Sequence, residues 1–318
     1  MIQIVIPNYN GKEHIRECLD SLRNQTEKNF SITVIDNASQ DGSDTIIEKE
    51  YPEVNLIRLP NNQGFAKAIN YGIIEALKKP EIKYIILLNN DVKCDSEFVA
   101  EMIRGFITDD TGSVAAKMLN YYDNTLIDAA GDYINWKGAP TARGHGLKDS
   151  EEFNKQTFIF SACAGAAAYR REAFEKAGLF DEDFYAYFED VDFGFRLQLI
   201  NYKCNYNPKA ICYHKREATF SKMKGLITKL CEKNLIALRL KNYPFILLLR
   251  LQLIFSISRL IRYYRLIRKE SFRTFLYALE GYFLGLCEIP KTIKKRKIIQ
   301  KKRKITISEL CKLLKTYR

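Results

Sequence analysis

The stretch YIILLNND, residues 84–91, carries the pattern that decides the fold. Five apolar residues are followed at once by two amides and a carboxylate, which indicates a buried strand that ends at a polar edge. Strands of this continuous apolar type are typical of parallel sheets with both faces covered. Asn and Asp also favour turns, so the three polar residues taken alone are equally consistent with an ordinary strand end.

The chain before this stretch repeats the pattern. Strands are predicted in IQIVIP (2–7), SITVID (31–36) and VNLIRLP (54–60), with helical periodicity between successive strands. The carboxyl ends of parallel strands meet at one edge of a sheet, where ligands of such sheets bind. The polar residues expected at this edge are Asn8 and Asn10, then Asp36, Asn37 and Ser39, then Asn61 and Asn62, then Asn89, Asn90 and Asp91.

The length of 318 residues allows one large α/β domain with an appendage, or two ordinary domains. The eight cysteines include no CxxC pair, which argues against a zinc knuckle or a redox motif. The strand-like start at residue 2 leaves no room for a targeting segment, so we expect reduced thiols in the cytoplasm.

The C-terminal third differs from the rest in charge. Residues 1–214 carry 23 Lys and Arg against 32 Asp and Glu, a net charge of −9, whereas residues 215–318 carry 27 against 6, a net charge of +21. Nine of these basic residues fall within residues 291–304. Such an excess of positive charge is expected to meet an anionic partner.

The same region contains two apolar stretches, at residues 244–270 and 272–290, which Arg250 and Glu280 interrupt. Their uninterrupted apolar runs are far shorter than the ~20 residues that a bilayer-spanning helix needs. Apolar helices rich in arginine and followed by a polybasic run are typical of helices that lie in an anionic membrane surface. We therefore predict a C-terminal, basic, mainly helical region that associates with a membrane.

One short segment, FYAYFEDVDFGFR at residues 184–196, mixes carboxylates with aromatic rings. Glu189 and Asp190 come just before a predicted helix over 191–200, where carboxylates commonly cap the helix N-terminus. A carboxylate in an aromatic pocket can also act as a general base for an incoming hydroxyl group. The two interpretations are compatible, because one carboxylate can cap while its neighbour faces the substrate. Farther on, His214 is either a metal ligand or a structural histidine.

Six motifs occur in the order found in glycosyltransferase family 2, and the chain most resembles its bacterial rhamnosyltransferase-like members. The resemblance covers roughly residues 2–216. The motifs are IVIPNYNG, VIDNASQDGS, NNQGFAKAINYGI, LLNNDV, GAAAYRREAFEKAGLFDEDFYAYFEDVDFGFRL and NPKAICYH.

This resemblance implies a GT-A fold, in which a Rossmann-like nucleotide-binding α/β sheet is flanked by helices. It also implies an inverting transfer from a nucleotide-diphosphate sugar, with a divalent metal, Mg²⁺ or Mn²⁺. We predict a catalytic domain over residues 1–225 and a basic, amphipathic helical region over residues 226–318. The resemblance says nothing about the latter.

The resemblance also assigns roles to single residues. Asp190 matches the catalytic base and Glu189 its neighbour, while Asp91 and His214 match the metal ligands. The positions that match the nucleotide-sugar site are Pro7, Tyr9 and Asn10, then Asp36, Asn37 and Ser39, then Asn62, Gly64, Lys67 and Asn70, and finally Asn89 and Asn90.

Two departures qualify the expected activity. Asn89 stands where the family's metal motif has Asp, which predicts weak metal affinity, and the QxxRW segment of the processive synthases is missing, which favours addition of a single sugar. The expected partners are a UDP- or dTDP-sugar, a glycan or lipid-linked acceptor, and the anionic inner face of the cell membrane. The resemblance does not identify the donor sugar, for which rhamnose is one candidate. A sugar nucleotidyltransferase, a nucleic-acid-binding protein and a catalytically inactive binding protein are the alternatives.

Overall fold

A computed structural model describes residues 1–135, 137–216 and 224–316 of the protein. Its centre is a ten-stranded sheet, beside which β8 and β9 form a separate two-stranded sheet. The strands are β1 (Ile2–Asn8), β2 (Phe30–Asp36), β3 (Asn55–Arg58), β4 (Tyr84–Leu88), β5 (Val92–Cys94), β6 (Thr111–Asn120), β7 (Ile127–Ala129), β8 (Asp132–Ile134), β9 (Pro140–Ala142), β10 (Thr157–Ile159), β11 (Ala166–Arg170) and β12 (Lys203–His214).

Helices cover both faces of the large sheet and make up most of the described C-terminal residues. The first six are α1 (Ile15–Arg23), α2 (Ser43–Glu50), α3 (Phe65–Leu77), α4 (Phe98–Arg104), α5 (Arg171–Ala177) and α6 (Glu189–Leu199). The C-terminal helices are α7 (Lys224–Asn242), α8 (Phe245–Lys269), α9 (Phe272–Cys287), α10 (Ile289–Lys302) and α11 (Ile307–Thr316).

The main path of the sheet runs β10-β12-β6-β11-β4-β1-β2-β3, with β5 paired to β12 and β7 paired to β6. β1 to β4 are parallel to one another, as predicted. Asn8 at the end of β1 is in register with Asp36 at the end of β2. The predicted polar edge therefore exists, because these strands end together.

Beyond β4 the sheet is mixed, which the sequence patterns did not indicate. β11 runs antiparallel between β4 and β6, in a segment rich in small residues for which no strand was predicted. Small side chains buried on both faces of a sheet show no period that separates strand from helix. β6 was also missed, because its Lys117 reads as a surface residue; the side chain is buried and pairs with Asp149 at 2.6 Å.

Two apolar layers cover the sheet. Ile69 and Ile73 of α3 and Phe193 of α6 pack on one face. Leu19 of α1 and Phe98 of α4 pack on the other. Since both faces are covered, the polar edge at the strand ends is the part of the sheet left for a ligand.

The C-terminal helices share a third apolar core with α6. Val191, Phe195 and Leu199 of α6 pack with Leu238 of α7 and Phe255 of α8. The predicted boundary between residues 225 and 226 falls in the first turn of α7, and residues on both sides of that boundary build this core. The division into two domains stays a prediction.

Glycine at two positions lets α9 lie directly on α7. A Cβ at Gly281 would lie 2.1 Å from the carbonyl oxygen of Lys229, and one at Gly285 would lie 2.7 Å from Ile236. Their spacing of four residues places both glycines on one side of α9. Among the described residues, no helix combines the length and the apolar composition that a membrane crossing requires.

Buried ion pairs tie the C-terminal helices to the segment around α6. The Lys241 ammonium group pairs with Asp181 and, at 2.9 Å, with Asp192. Lys295 pairs with Asp181 and Asp183. Burial acts to raise the pKa of Asp181, but its ion pairs with Lys241 and Lys295 outweigh burial and hold that pKa well below its usual range.

We expect Lys241→Ala to lower the free energy of unfolding by about 3–5 kcal/mol, since removing one partner leaves buried carboxylates under-paired. Urea unfolding measures this. The matched control is Lys294→Ala, which removes an exposed lysine of α10 and is expected to change stability by about 0.5 kcal/mol or less. Equal effects of the two substitutions would contradict the role of Lys241.

The effect of Lys241→Ala is also expected to depend on pH. A carboxylate whose folded-state pKa is lowered adds stability at pH values above its unfolded pKa of about 4. That stability is lost as the pH falls from about 4 through the lower folded-state pKa. The difference between the wild type and Lys241→Ala should therefore shrink in urea titrations as the pH falls below about 4.

Candidate active site

Asn8, the last residue of β1, organises the polar edge of the sheet. Its buried amide group donates to Asp36 Oδ1 and to Ser43 Oγ, each at 2.9 Å, and its Oδ1 accepts a 2.8 Å hydrogen bond from Asn90. Gly11 lies directly against this contact, because a Cβ there would lie 2.1 Å from Asn90 Nδ2. One amide thus holds the ends of β1, β2 and β4 together.

The loops that follow β1 and β2 are bonded to each other. Asp36 Oδ2 accepts a hydrogen bond of 3.1 Å from the backbone N–H of Ser39, and Ser39 Oγ accepts one of 2.9 Å from the backbone N–H of Asn10. Asn10 has a positive φ of 50°. Beside it, the Tyr9 ring is half-exposed. These predicted nucleotide-site residues therefore lie together, with one aromatic ring open to a ligand.

The loop after β3 connects this edge to the segment before α6. Asn62 Oδ1 accepts hydrogen bonds from Asn37 Nδ2 at 3.0 Å and from the Tyr185 hydroxyl at 3.2 Å. Gly64 has a φ of 81°, and a Cβ there would lie 2.5 Å from the Tyr185 ring. Lys67 follows in the first turn of α3, and its side chain makes no hydrogen bond or ion pair within the described residues.

Two predicted nucleotide-site residues belong to the scaffold. Pro7 lies within β1, in register with Ile35 of β2. Asn70 is buried, and its side chain bonds the backbone of Phe180 twice, through Nδ2 at 2.9 Å and Oδ1 at 3.1 Å. Asn70 therefore anchors α3 to the chain that follows α5.

Asp91 and His214 meet although 122 residues of chain separate them. Asp91 Oδ1 lies 3.2 Å from His214 Nε2, and Asp128 Oδ2 lies 2.7 Å from the other ring nitrogen, Nδ1. Burial acts to lower the pKa of His214, but hydrogen bonds to Asp128 and Asp91 outweigh it and raise that pKa to about 9. Burial acts to raise the pKa of Asp91, but the contact with His214 outweighs burial and lowers it.

These groups also fit a divalent cation. A carboxylate oxygen and an imidazole nitrogen converge at one place, and both are ligands of first-row divalent metals. Asp128 occupies the position of a carboxylate that orients a metal-bound histidine through its second nitrogen. Asn89 Oδ1 is buried without a hydrogen-bond partner in the described residues, so its lone pairs are unused. Cation binding at His214 Nε2 requires the neutral imidazole.

The sequence analysis missed Asp128. It is one of two aspartates in the stretch TLIDAAGD (125–132), which contains no histidine or other recognisable metal-ligand pattern. Arg216 Nη1 donates to its second oxygen at 2.7 Å, so both carboxylate oxygens are engaged. Only the pairing of β7 with β6 and of β6 with β12 brings Asp128 to His214.

The segment before α6 is strained. Tyr185, Tyr187 and Phe188 have φ angles of 63°, 70° and 72°. For residues other than glycine, each such angle costs about 1–3 kcal/mol and persists only where the surroundings impose it. α6 begins at Glu189, two residues earlier than predicted, so Glu189 and Asp190 lie in its first turn.

Asp190 joins this turn to the metal motif. Its Oδ1 accepts a 2.8 Å hydrogen bond from the backbone N–H of Val191, and its Oδ2 accepts one of 3.1 Å from that of Ala164. The next residue, Gly165, accepts a 2.9 Å hydrogen bond from the backbone N–H of Asn89. One short backbone segment thus lies between the candidate base and the candidate metal site.

Glu189 is buried, whereas Asp190 is only partly buried. Burial raises the pKa of Asp190, and the hydrogen bonds from Ala164 and Val191 oppose the rise. Burial and the charge of Asp190 raise the pKa of Glu189 well above its usual range, and Glu189 Oε2 has no hydrogen-bond partner within the described residues. Asp190 is therefore the better-solvated carboxylate of the two and the better candidate base.

A second residue missed by the sequence analysis is Asp132, at the start of β8. Its carboxylate lies within 4.8 Å of that of Asp190 and of the Cys163 thiol. Burial and then the charge of Asp190 raise the pKa of Asp132 well above its usual range. Two carboxylates this close favour a state in which only one is ionised.

α7 holds the strained segment in place. Nδ2 of the buried Asn234 lies within hydrogen-bond distance of three backbone carbonyls, those of Phe184 at 3.0 Å, Ala186 at 2.8 Å and Tyr187 at 2.7 Å. Two N–H groups thus serve three acceptors. The sequence analysis gave Asn234 no role, because the resemblance ends before α7.

The chain is similar in sequence to known glycosyltransferases. N-acetylglucosaminyl-diphospho-decaprenol L-rhamnosyltransferase of Mycobacterium tuberculosis is 26% identical over 243 residues, which cover 69% of this chain and 78% of the relative. The putative glycosyltransferase EpsH of Bacillus subtilis is 30% identical over 105 residues, which cover 32% of this chain and 29% of the relative.

Solved structures share the fold. Residues 1–349 of Staphylococcus aureus TarS have a TM-score of 0.55 at 15% identity, with 99% of this chain and 88% of that chain covered. The mannosyltransferase PcManGT of Pyrobaculum calidifontis, solved with GDP-Man and Mn²⁺, has a TM-score of 0.56 at 15% identity, with 100% and 88% covered. The predicted GT-A fold is confirmed. The sequence profile of Glycosyl transferase family 2 matches residues 3–178, more than half of the chain, and the protein belongs to that family.

Proposed function

We propose that the protein transfers one sugar from a nucleotide-diphosphate donor to a hydroxyl group of a polyprenyl-linked glycan, with inversion, in cell-surface polysaccharide synthesis. The observation that carries this proposal is the placement of Asp91, His214 and Asp190 around the polar strand ends. A metal-diphosphate site beside one partly buried carboxylate suits an inverting transfer, which needs a held leaving group and a single base.

On the donor side, Asp36 and the half-exposed Tyr9 receive the nucleotide base and ribose. Lys67, whose ammonium group is unpaired within the described residues, faces the diphosphate. Asp91 and His214 would hold Mg²⁺ or Mn²⁺, with Asn89 Oδ1 as a further oxygen at the same strand end. When bound, such a cation would supply positive charge to stabilise the departing diphosphate.

On the acceptor side, Asp190 removes the proton of the attacking hydroxyl group. That oxygen forms a bond to the anomeric carbon while the bond from this carbon to the diphosphate oxygen breaks, and the proton ends on the Asp190 carboxylate. Burial strengthens Asp190 as a base, because it raises the pKa of the carboxylate. The buried Asp132 and Glu189 stay neutral beside it and so leave the negative charge on Asp190.

The name of the mycobacterial relative specifies L-rhamnose transfer and a lipid-linked acceptor, which supports rhamnose as the donor sugar and a polyprenyl-diphosphate acceptor here. We propose a dTDP-sugar as the first donor class to test. UDP-sugars are the second donor class to test. An acceptor anchored in the inner leaflet places the enzyme at the cytoplasmic face of the membrane. A sugar nucleotidyltransferase is expected to have a Gly-rich, basic loop after β1. The loop of this protein, PNYNGKEH, has one Gly and one Lys, which disfavours that alternative.

Asp190→Asn is expected to lower kcat by at least about 100-fold and to leave donor binding unchanged, since the base contacts the acceptor rather than the nucleotide. Transfer is assayed with a panel of dTDP- and UDP-sugars and a synthetic polyprenyl-diphosphate glycan, and donor binding by calorimetry with Mn²⁺. Asp109→Asn, a change at an exposed carboxylate, is the matched control. Folded protein that binds no nucleotide-sugar would overturn the proposal.

Asp128→Asn is expected to weaken Mn²⁺ binding about 10- to 100-fold, because the neutral amide no longer orients His214. The affinity is measured by calorimetry with UDP or dTDP present, and excess Mn²⁺ should restore the turnover of this variant. His214→Ala should remove binding altogether, and EDTA should abolish transfer by the wild type. Unchanged Mn²⁺ affinity in both variants would show that the metal lies elsewhere.

Asn234→Leu is expected to lower kcat about 10- to 100-fold with little change in donor KM, because the strained segment loses its three hydrogen bonds and Asp190 is displaced. Lys229→Ala, which breaks a more exposed ion pair on the same helix, is the control and should leave kcat unchanged. Urea unfolding of both variants separates misplacement of the base from general loss of structure. A change confined to stability would refute the positioning role.

A further inference from the structure

α8 exposes an apolar stripe along its length. Leu249, Leu253, Ile257, Leu260 and Tyr264 are all exposed, between 48% and 70%. At about 100° per residue, these five side chains fall within an arc of about 80° on the helix. Single exposed apolar residues are ordinary on a protein surface, but a continuous row of them marks a surface that binds something.

The opposite side of α8 packs on the protein. Its buried residues are Leu247, Phe255 and Leu266, which fall within an arc of about 100° centred roughly opposite the stripe. Phe255 lies against Gly138, where a Cβ would come 2.6 Å from the ring. α8 is therefore anchored by one face, and its other apolar face is directed away from the described chain.

The charge of α8 is of one sign. The helix contains six Lys and Arg and no Asp or Glu. Arg259 and Arg262 pair with Glu232 of α7, at 3.6 and 2.5 Å. Arg250 and Arg268 lie about 20° outside the stripe on the same edge, and within the described residues neither makes an ion pair.

We propose that this stripe of α8, with Arg250 and Arg268 at its edge, lies in the headgroup region of an anionic lipid bilayer. Apolar side chains enter the acyl boundary while arginines reach lipid phosphates from the edge of the stripe. A second copy of the chain fits less well, since like faces would bring arginines together with no carboxylate on either helix. A second exposed row, Phe272, Leu276 and Phe283 of α9, lies on the neighbouring helix.

Part of the polybasic run of α10 is engaged within the protein. Lys291 and Lys295 pair with Asp183, and Lys295 pairs also with Asp181. Arg296 donates to the backbone carbonyls of Leu240 and Tyr243. These three cations bind the protein itself, so only part of the charge of the run is available to lipid phosphates, and the apolar stripe of α8 is the main contact in this proposal.

Sedimentation with vesicles of phosphatidylglycerol and phosphatidylethanolamine tests the assignment on the full chain, without donor or acceptor. Leu253→Ser with Leu260→Ser should lower the partition coefficient about 10- to 100-fold, because two large apolar side chains no longer leave water. Leu253→Glu with Leu260→Glu should abolish binding. Lys294→Ala with Lys301→Ala removes two positive charges from α10, the same change in net charge as the glutamate pair. This lysine pair should lower the partition coefficient less than about fivefold.

Each other outcome overturns the proposal. Equal loss in the lysine pair and the leucine pairs would place the contact on the polybasic run. Wild-type protein that does not sediment with vesicles, but forms a dimer that Leu253→Glu with Leu260→Glu dissociates in analytical ultracentrifugation, would assign the stripe to a second copy. Because the assay needs no turnover, its failure leaves the transferase proposal standing, and failure of sugar transfer leaves the lipid surface standing. Both leucines are exposed, so these variants keep the fold.

Discussion

The buried ammonium group of Lys241 lies between Asp181 and Asp192, and this contact holds the C-terminal helices against α6 and the segment before it. With α7 fixed there, Asn234 can bond the strained segment before α6. The positive φ angles of that segment direct Glu189 and Asp190 into the first turn of the helix. The strain at the candidate base is thus balanced by an interaction made with a helix outside the family motifs.

The candidate site places two carboxylates in opposite environments. Asp91 faces His214, and its pKa is lowered, so it stays ionised and suits a cation. Asp190 is partly buried near Asp132, and burial raises its pKa, so it suits proton transfer. Pairs of carboxylates whose environments separate their pKa values commonly divide acid, base and charge-binding roles in this way.

The strong positive charge of the C-terminal region has two separate uses. Part of this charge is internal, where Lys241 and Lys295 form ion pairs with Asp181. Another part, on α8, flanks an exposed apolar stripe. Net charge alone does not separate these uses, because a paired cation and an unpaired cation each add one positive charge to it.

Local patterns predicted the parallel strands β1 to β4 and their polar ends, because a run of about five to ten consecutive residues contains both the apolar strand and the polar residues that follow it. The ordered motifs identified the family. β11 was hidden in a run of alanines, and Asp128, Asp132 and Asn234 carried no local signal at all. Each of these residues has its place only through contacts made across long stretches of chain, such as the bond from Asp128 to His214. The sequence by itself therefore determined the parallel strands and their polar edge. The orientation of His214, the environment of Asp190 and the division between buried and exposed cations were decided by tertiary packing, since burial and pairing depend on neighbours that sequence spacing does not reveal.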